Sequence, residues 1–179
     1  GVLRRRHGMP CYANEATAEG IDQTLRQTDV PWTIFETGSP FDIGGLRIEP
    51  FSVPHDAADA VGFVIADGPV RLGVATDLGM ATTLIRRKLA GCDALVLETN
   101  HDVEMLRQSG RPWSTIQRIQ GRQGHLSNED AAELLASVLG PRLRTVFLAH
   151  LSAACNLPAL AERVLRDALR RAGREDIRL

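Results

Sequence analysis

Two short runs, Ala94-Leu95-Val96-Leu97 and Val146-Phe147-Leu148-Ala149, contain no polar residue. A wholly apolar run of this length, bounded by polar turns, fits a strand at the centre of a sheet, and for Ala94 to Leu97 the pattern predicts burial on both faces. Each run then stops on a residue that carries chemistry, Glu98 in one case and His150 in the other. Whatever fold this chain adopts must therefore bring two ionisable groups to the edge of its core.

The remaining elements are arranged around those strands. Gly1 to Gly8 reads as the end of a helix with Gly8 as its terminal residue and Pro10 just beyond, and Cys11 to Ala13 as a short strand. Asn14 can cap a helix over Glu15 to Arg26, and Trp32 to Phe35 is extended. Leu46 to Val53 alternates and halts at Pro54-His55-Asp56. Val61 to Ala66 and Val70 to Ala75 flank Asp67-Gly68, which predicts a hairpin with positive φ at those two positions. Helices follow at Met80 to Leu89, Asp102 to Gln108 and Trp113 to Arg122, the last of them basic. Ser127 or Asn128 caps a helix whose Ala131, Leu134, Leu135, Val138 and Leu139 form one stripe, and Leu157 to Arg171 is a final amphipathic helix.

Four predicted strands end on a metal-binding or proton-moving residue: His55, Asp77, Glu98 and His150. Singly, each reads more readily as a surface cap, a turn residue or an ion-pair partner. Jointly they point to a site, because neighbouring strands of one sheet deliver their ends to one cleft. Two imidazoles with a carboxylate suit zinc or a similar divalent ion.

Composition narrows the class. The chain has 179 residues, 44% of them apolar and 24% charged, which suits one domain. Twenty arginines stand against the single Lys88, yet the net charge is -1, so binding of a polyanion must come from a local patch. No apolar run reaches the ~18 residues of a membrane span. With Cys11, Cys92 and Cys155 odd in number and unclustered, a disulfide framework is not expected. A soluble cytoplasmic protein with no membrane partner is the expectation, and the residues specify no oligomeric state.

In order along the chain, Ser52-Val53-Pro54-His55-Asp56-Ala57, Ala75-Thr76-Asp77-Leu78-Gly79, Leu97-Glu98-Thr99-Asn100-His101-Asp102, Gly124-His125-Leu126-Ser127-Asn128 and Ala149-His150-Leu151-Ser152 resemble successive blocks of the metallo-β-lactamase-fold hydrolases. Within them the likeness is to the branch of bacterial YycJ exonuclease-like proteins. The resemblance implies an α/β fold, the αββα sandwich, and two divalent metal ions, zinc before manganese. It makes His55 similar to a ligand of one metal, His150 to a ligand of the other, and Asp77 to the carboxylate bridging both. Glu98 with His125 resembles an acid/base pair in which the carboxylate orients the imidazole.

The family's HxHxDH block, which supplies four further ligands, has no counterpart here. The chain is therefore expected to be the C-terminal part of a domain, N-terminally incomplete, with one sheet nearly whole and part of an apolar inner face uncovered. By itself it should bind metal weakly and hydrolyse little. In the intact form the resemblance implies a phosphodiesterase or nuclease acting on DNA, with a hydroxide shared by two metals as nucleophile and His125 protonating the leaving group. Asn100, His101, Arg118 and Arg122 are candidate substrate contacts, and Asp56 a candidate partner of His55. The alternatives are a thioester or lactone hydrolase of the same fold, and a non-catalytic piece that binds a partner.

Overall fold

The apolar runs form adjacent parallel strands, Ala94–Glu98 and Thr145–Ala149, in the computed structural model, which describes residues 6–25 and 30–179. In chain order the elements are β1 (Cys11–Ala13), α1 (Glu15–Leu25), β2 (Trp32–Ile34), β3 (Phe41–Ile43), β4 (Leu46–Ser52), β5 (Val61–Asp67) and β6 (Val70–Ala75). There follow α2 (Thr83–Leu89), β7 (Ala94–Glu98), α3 (Val103–Arg107), α4 (Trp113–Ile119), α5 (Asn128–Val138), β8 (Thr145–Ala149) and α6 (Pro158–Arg171). The first five residues of the expected N-terminal helix, and Arg26 of the next one, lie outside the described residues; Gly8 has the positive φ of a helix-ending glycine, 63°.

Strands β3 to β8 form one six-stranded sheet in sequential order, antiparallel through β6 and parallel from β6 to β8. The parallel part needs crossovers, and these carry the helices. The register aligns Ala75 with Leu97 and Glu98 with Ala149, so the carboxyl ends of β6, β7 and β8 finish together. Side chains alternate strictly across this sheet. Phe51, Val64, Ala75, Leu95, Leu97 and Val146 point one way and are buried against Ile85 and Leu89 of α2, Leu134, Leu135 and Val138 of α5, and Leu165 and Leu169 of α6.

The opposite face carries Phe63, Ile65, Leu72, Val74 and Val96, all half-buried, and Phe147, which is 56% exposed. One end of it is covered: β1 and β2 pair in parallel as a second small sheet, and Phe35 packs edge-on against Phe63 while stacking on Phe41. The prediction that Ala94 to Leu97 is buried on both faces is thus corrected. Among the described residues, helices cover only the Leu95 and Leu97 side, and the aromatic cluster stops short of Val96.

Local chemistry moved other boundaries. The hairpin between β5 and β6 pairs Asp67 with Val70, so its central residues are Gly68 and Pro69 rather than Asp67 and Gly68. Proline cannot take φ above zero, and Gly68 alone does, at 52°. Helix α2 starts at Thr83, not Met80, because the Thr82 side chain accepts the Ile85 N–H and fixes the cap there. Helix α4 ends at Ile119, which leaves Arg122 on the turn beyond it.

Candidate active site

The loop after β4 brings His55 back over the sheet. Val53 N–H donates to Ala60 O at 3.0 Å and closes the loop, while Asp56 N–H donates to Gln123 O at 3.0 Å and pins it to the turn after α4. Asp77 follows β6, Glu98 is the last residue of β7, and His150 follows β8. His125 enters on the turn before α5, which is capped by a reciprocal pair between Ser127 and Asp130.

These five side chains converge. The His125 ring centroid lies 4.9 Å from that of His55 and 5.1 Å from that of His150. The Asp77 carboxylate stands beside the row, with Oδ1 at 3.7 Å from His55 Nε2 and 3.5 Å from His150 Nε2. Each ring has Nδ1 facing an oxygen that accepts. His55 Nδ1 donates to Gly124 O at 3.0 Å, and His125 and His150 both donate to Glu98 Oε1, at 2.7 and 2.8 Å. That fixes the tautomers and leaves the Nε2 lone pairs of neutral imidazoles free for a cation.

Glu98 is fully buried, and its second oxygen, Oε2, accepts the Leu78 N–H at 2.9 Å. Every bond it makes is therefore charge-assisted, which a buried carboxylate requires. The hydrogen bond to Glu98 holds the His125 imidazole above its ordinary value, helped by the Glu98, Asp77 and Asp56 charges against the opposing effect of burial. This ring is primed to carry a proton on Nε2.

Two sets of three ligand atoms lie within 4.8 Å of one another: His55, Asp77 and His125 in one, Glu98, His125 and His150 in the other. The donor chemistry, imidazole nitrogen with carboxylate oxygen, fits zinc or another borderline divalent ion. The geometry thus gives His125 a part in both sets, whereas the sequence assigned it to proton transfer alone. It also links Glu98 to His150 as well as to His125.

The remaining candidates fall into different surroundings. Asp56 Oδ1 is 3.4 Å from His55 Nε2, on the cation-facing side of the ring, and Oδ2 is 3.1 Å from Arg118 Nη1. Arg118 and Arg122 line an open cleft of about 670 Å³ with Pro54, Asp56 and Met80, and Arg122 Nε rests 3.3 Å from Met80 Sδ. Asn100 and His101, by contrast, are 9% and 1% exposed. The Asn100 amide donates to His150 O at 2.9 Å, and burial pushes the His101 imidazole below its ordinary value. Both side chains are enclosed by the site's loops rather than presented to its cleft.

Three features here carried no signal in the sequence. Asp77 and His150 adopt left-handed backbone, with φ of 55° and 57°, at a cost of roughly 1 kcal/mol each; Asp and His tolerate this conformation better than most residues. A buried amide pair, Asn128 with Asn156 at 2.9 and 3.0 Å, bonds onward to Thr99 O at 2.8 Å and laces the three loops together. Gly79 meets the turn after α4 so closely that a Cβ on it would lie 2.5 Å from Gly121 O.

Residues 1–150 match the family model described as the beta-lactamase superfamily domain. The chain is similar to an exodeoxyribonuclease YycJ of Bacillus anthracis, 36% identical over 175 residues, covering 97% of this chain and 66% of that protein. It is likewise similar to an exodeoxyribonuclease WalJ of Streptococcus pneumoniae, at 35% identity over 96% of this chain and 65% of the relative. The chain thus spans just under two thirds of the length of these relatives. Among solved structures it resembles the metallo-β-lactamase fold protein YhfI of Bacillus subtilis, with a TM-score of 0.65 and 16% identity over 89% of this chain and 58% of that one. It also resembles Zn(2+)-bound PqqB of Methylobacterium extorquens, with a TM-score of 0.60 and 23% identity over 98% of this chain and 61% of that one.

Proposed function

Because the chain belongs to the beta-lactamase superfamily, we propose that it carries part of the active centre of a metal-dependent phosphodiesterase acting on DNA. The observation that carries this reading is the row of three imidazoles beside Asp77, each with Nδ1 engaged, which leaves Nε2 of His55 and His150 for a cation and Nε2 of His125 for a proton. The exodeoxyribonuclease names of its relatives support DNA as substrate. Divalent ions, zinc first, supply Lewis acidity and an activated water at neutral pH when bound.

The chain's own residues do the rest. His55, Asp77 and His150 would hold the cations, and Gly124 O and Glu98 keep the rings from turning. His125 hands its Nε2 proton to the departing oxygen, and Glu98 steadies the charge on the ring before transfer. Asp56 keeps Arg118 at the cleft mouth, where a guanidinium can face a phosphate. The three free cysteines fit work in the cytoplasm.

Of the described groups, Glu98 is committed to holding imidazoles and His125 to carrying the proton, so neither metal position gains three independent ligands from this chain; a catalytic zinc takes three. The 179-residue chain should therefore retain fewer than two zinc ions after dialysis, measured by elemental analysis, and cleave little. Two tightly held ions would overturn that expectation. For the reaction itself, the expected outcome is release of nitrophenol from bis(p-nitrophenyl) phosphate, and shortening of end-labelled duplex DNA, by a longer form that contains this chain. Hydrolysis of thioesters or lactones with no phosphodiester cleavage would replace this reading with a carbonyl hydrolase.

A further inference from the structure

Among the described residues Trp113 is the most exposed of the large apolar side chains, at 63%, and it opens α4, the helix whose other end abuts the site. The backbone N–H of His125 donates to Ile119 O at 2.8 Å, so the helix terminus is tied to the main chain of the residue that bears the proton-carrying ring. From Ile119 back to Trp113 the helix rises roughly 9 Å, which is two to three nucleotides at the ~3.4 Å spacing of a stacked strand.

The surroundings of Trp113 are one-signed. From Arg107 to Gln123 the chain holds four arginines, Arg107, Arg111, Arg118 and Arg122, and no carboxylate, in a protein whose net charge is -1. Arg118 pairs with Asp56 across the cleft. Among the described residues Arg107, Arg111 and Arg122 have no carboxylate partner, and all four guanidinium side chains are exposed. In α6, by contrast, cations and carboxylates are interspersed, and Arg166 meets Glu162 while Arg170 meets Asp167. An exposed indole among unpaired guanidinium groups, at one end of a path that leads into the cleft, is how a strand of nucleic acid is held without regard to sequence: bases stack on the ring, and phosphates follow the cations.

We propose that the chain from Arg107 through α4 and the turn after it forms a single-stranded DNA guide, with Trp113 stacking on a base two or three nucleotides from the phosphate in the cleft and Arg107 and Arg111 tracking the backbone. The inference rests on the phosphodiesterase reading above, and it adds the physical state of the substrate: the end that enters the site is unpaired.

Binding can be measured apart from cleavage. In a Trp32→Phe background Trp113 is the only indole, and the chain is titrated in EDTA with oligothymidine and with an abasic strand of equal length. Thymidine should quench the emission and the abasic strand should not. Trp113→Ala should weaken oligothymidine binding about tenfold without changing abasic binding, Trp113→Phe should restore most of the loss, and the Arg107→Gln, Arg111→Gln double variant should weaken both strands and flatten the salt dependence. Equal quenching by both strands, no quenching, or unchanged binding by Trp113→Ala overturns the guide, and an indole packed on another part of a longer protein would give that result. Cleavage of bis(p-nitrophenyl) phosphate by a longer form that contains this chain separates the two ideas. Cleavage with an indifferent Trp113 removes the guide alone, whereas a responsive Trp113 with no phosphodiester cleavage removes the enzymatic reading alone.

Discussion

Glu98 is a single carboxylate on which two imidazoles depend. Both Nδ1–H groups meet the same oxygen, and the other oxygen accepts the Leu78 N–H, so neither oxygen is without a donor. In Glu98→Gln the amide NH2 must face either the Leu78 N–H or the two imidazole donors, and one donor is left opposite another. Loss of such a supporting partner costs about 10–100-fold in metal affinity; the expectation for Glu98→Gln is a fall of that size in zinc affinity, read by chelator competition, with the far-ultraviolet spectrum unchanged. Wild-type affinity in this variant would mean that the rings are held by something else. His55, Asp77, Glu98 and His150 were legible in the sequence because each ends an apolar or alternating run, a pattern with a physical cause. The left-handed backbone of Asp77 and His150 was not, since neither is the glycine that usually marks that conformation.

At the scale of elements, the site is an agreement among loops. Asn128 opens α5, Asn156 precedes α6 and Thr99 follows β7, and one reciprocal amide pair joins all three in the interior. Asn156→Ala would leave the Asn128 amide and the Thr99 carbonyl unpaired and buried, at about 1–3 kcal/mol for each group. For a chain of this length that corresponds to a fall in Tm of roughly 4–24 °C, measurable by calorimetry; a change under about 2 °C would show that water or a shifted loop replaces the pair. Strands and helices were legible because hydrophobic period and caps are local. Their ends moved where a side chain not weighed in the sequence took the cap, as Thr82 did, or where a proline could not take the φ a turn motif implies, as at Pro69. Side chains that bond across fifty residues, as Asn100 does to the His150 carbonyl, leave no local trace.

Across the whole molecule, one face of the sheet was predictable in kind and the other was not, because alternation says which residues share a side but not what covers it. Ionic contacts gather at the other end of the parallel strands. Arg142 Nε reaches Asp93 Oδ1 at 3.1 Å just before β7, and the Arg142 hydrogen bond, with the Arg71 N–H, holds the Asp93 carboxyl below its usual range. On β4, burial pushes Glu49 upward, but hydrogen bonds and charge from Lys88 and Arg71 outweigh it and leave the group lowered. Carboxyls with folded values below their unfolded ones stabilise the fold above the unfolded value, and that contribution disappears as pH falls through the folded one. The contribution of these carboxyls should therefore be level from neutral pH down to about 4 and drop below it, and Asp93→Asn should soften that drop in urea titrations repeated across pH; an identical acid limb in the variant would remove Asp93 from the account. Since the groups that set acid tolerance sit at one rim of the strands and the imidazoles at the other, engineers and natural variation alike have separate dials: substitutions on the lower rim can harden or soften the scaffold while the reactive rim keeps its shape.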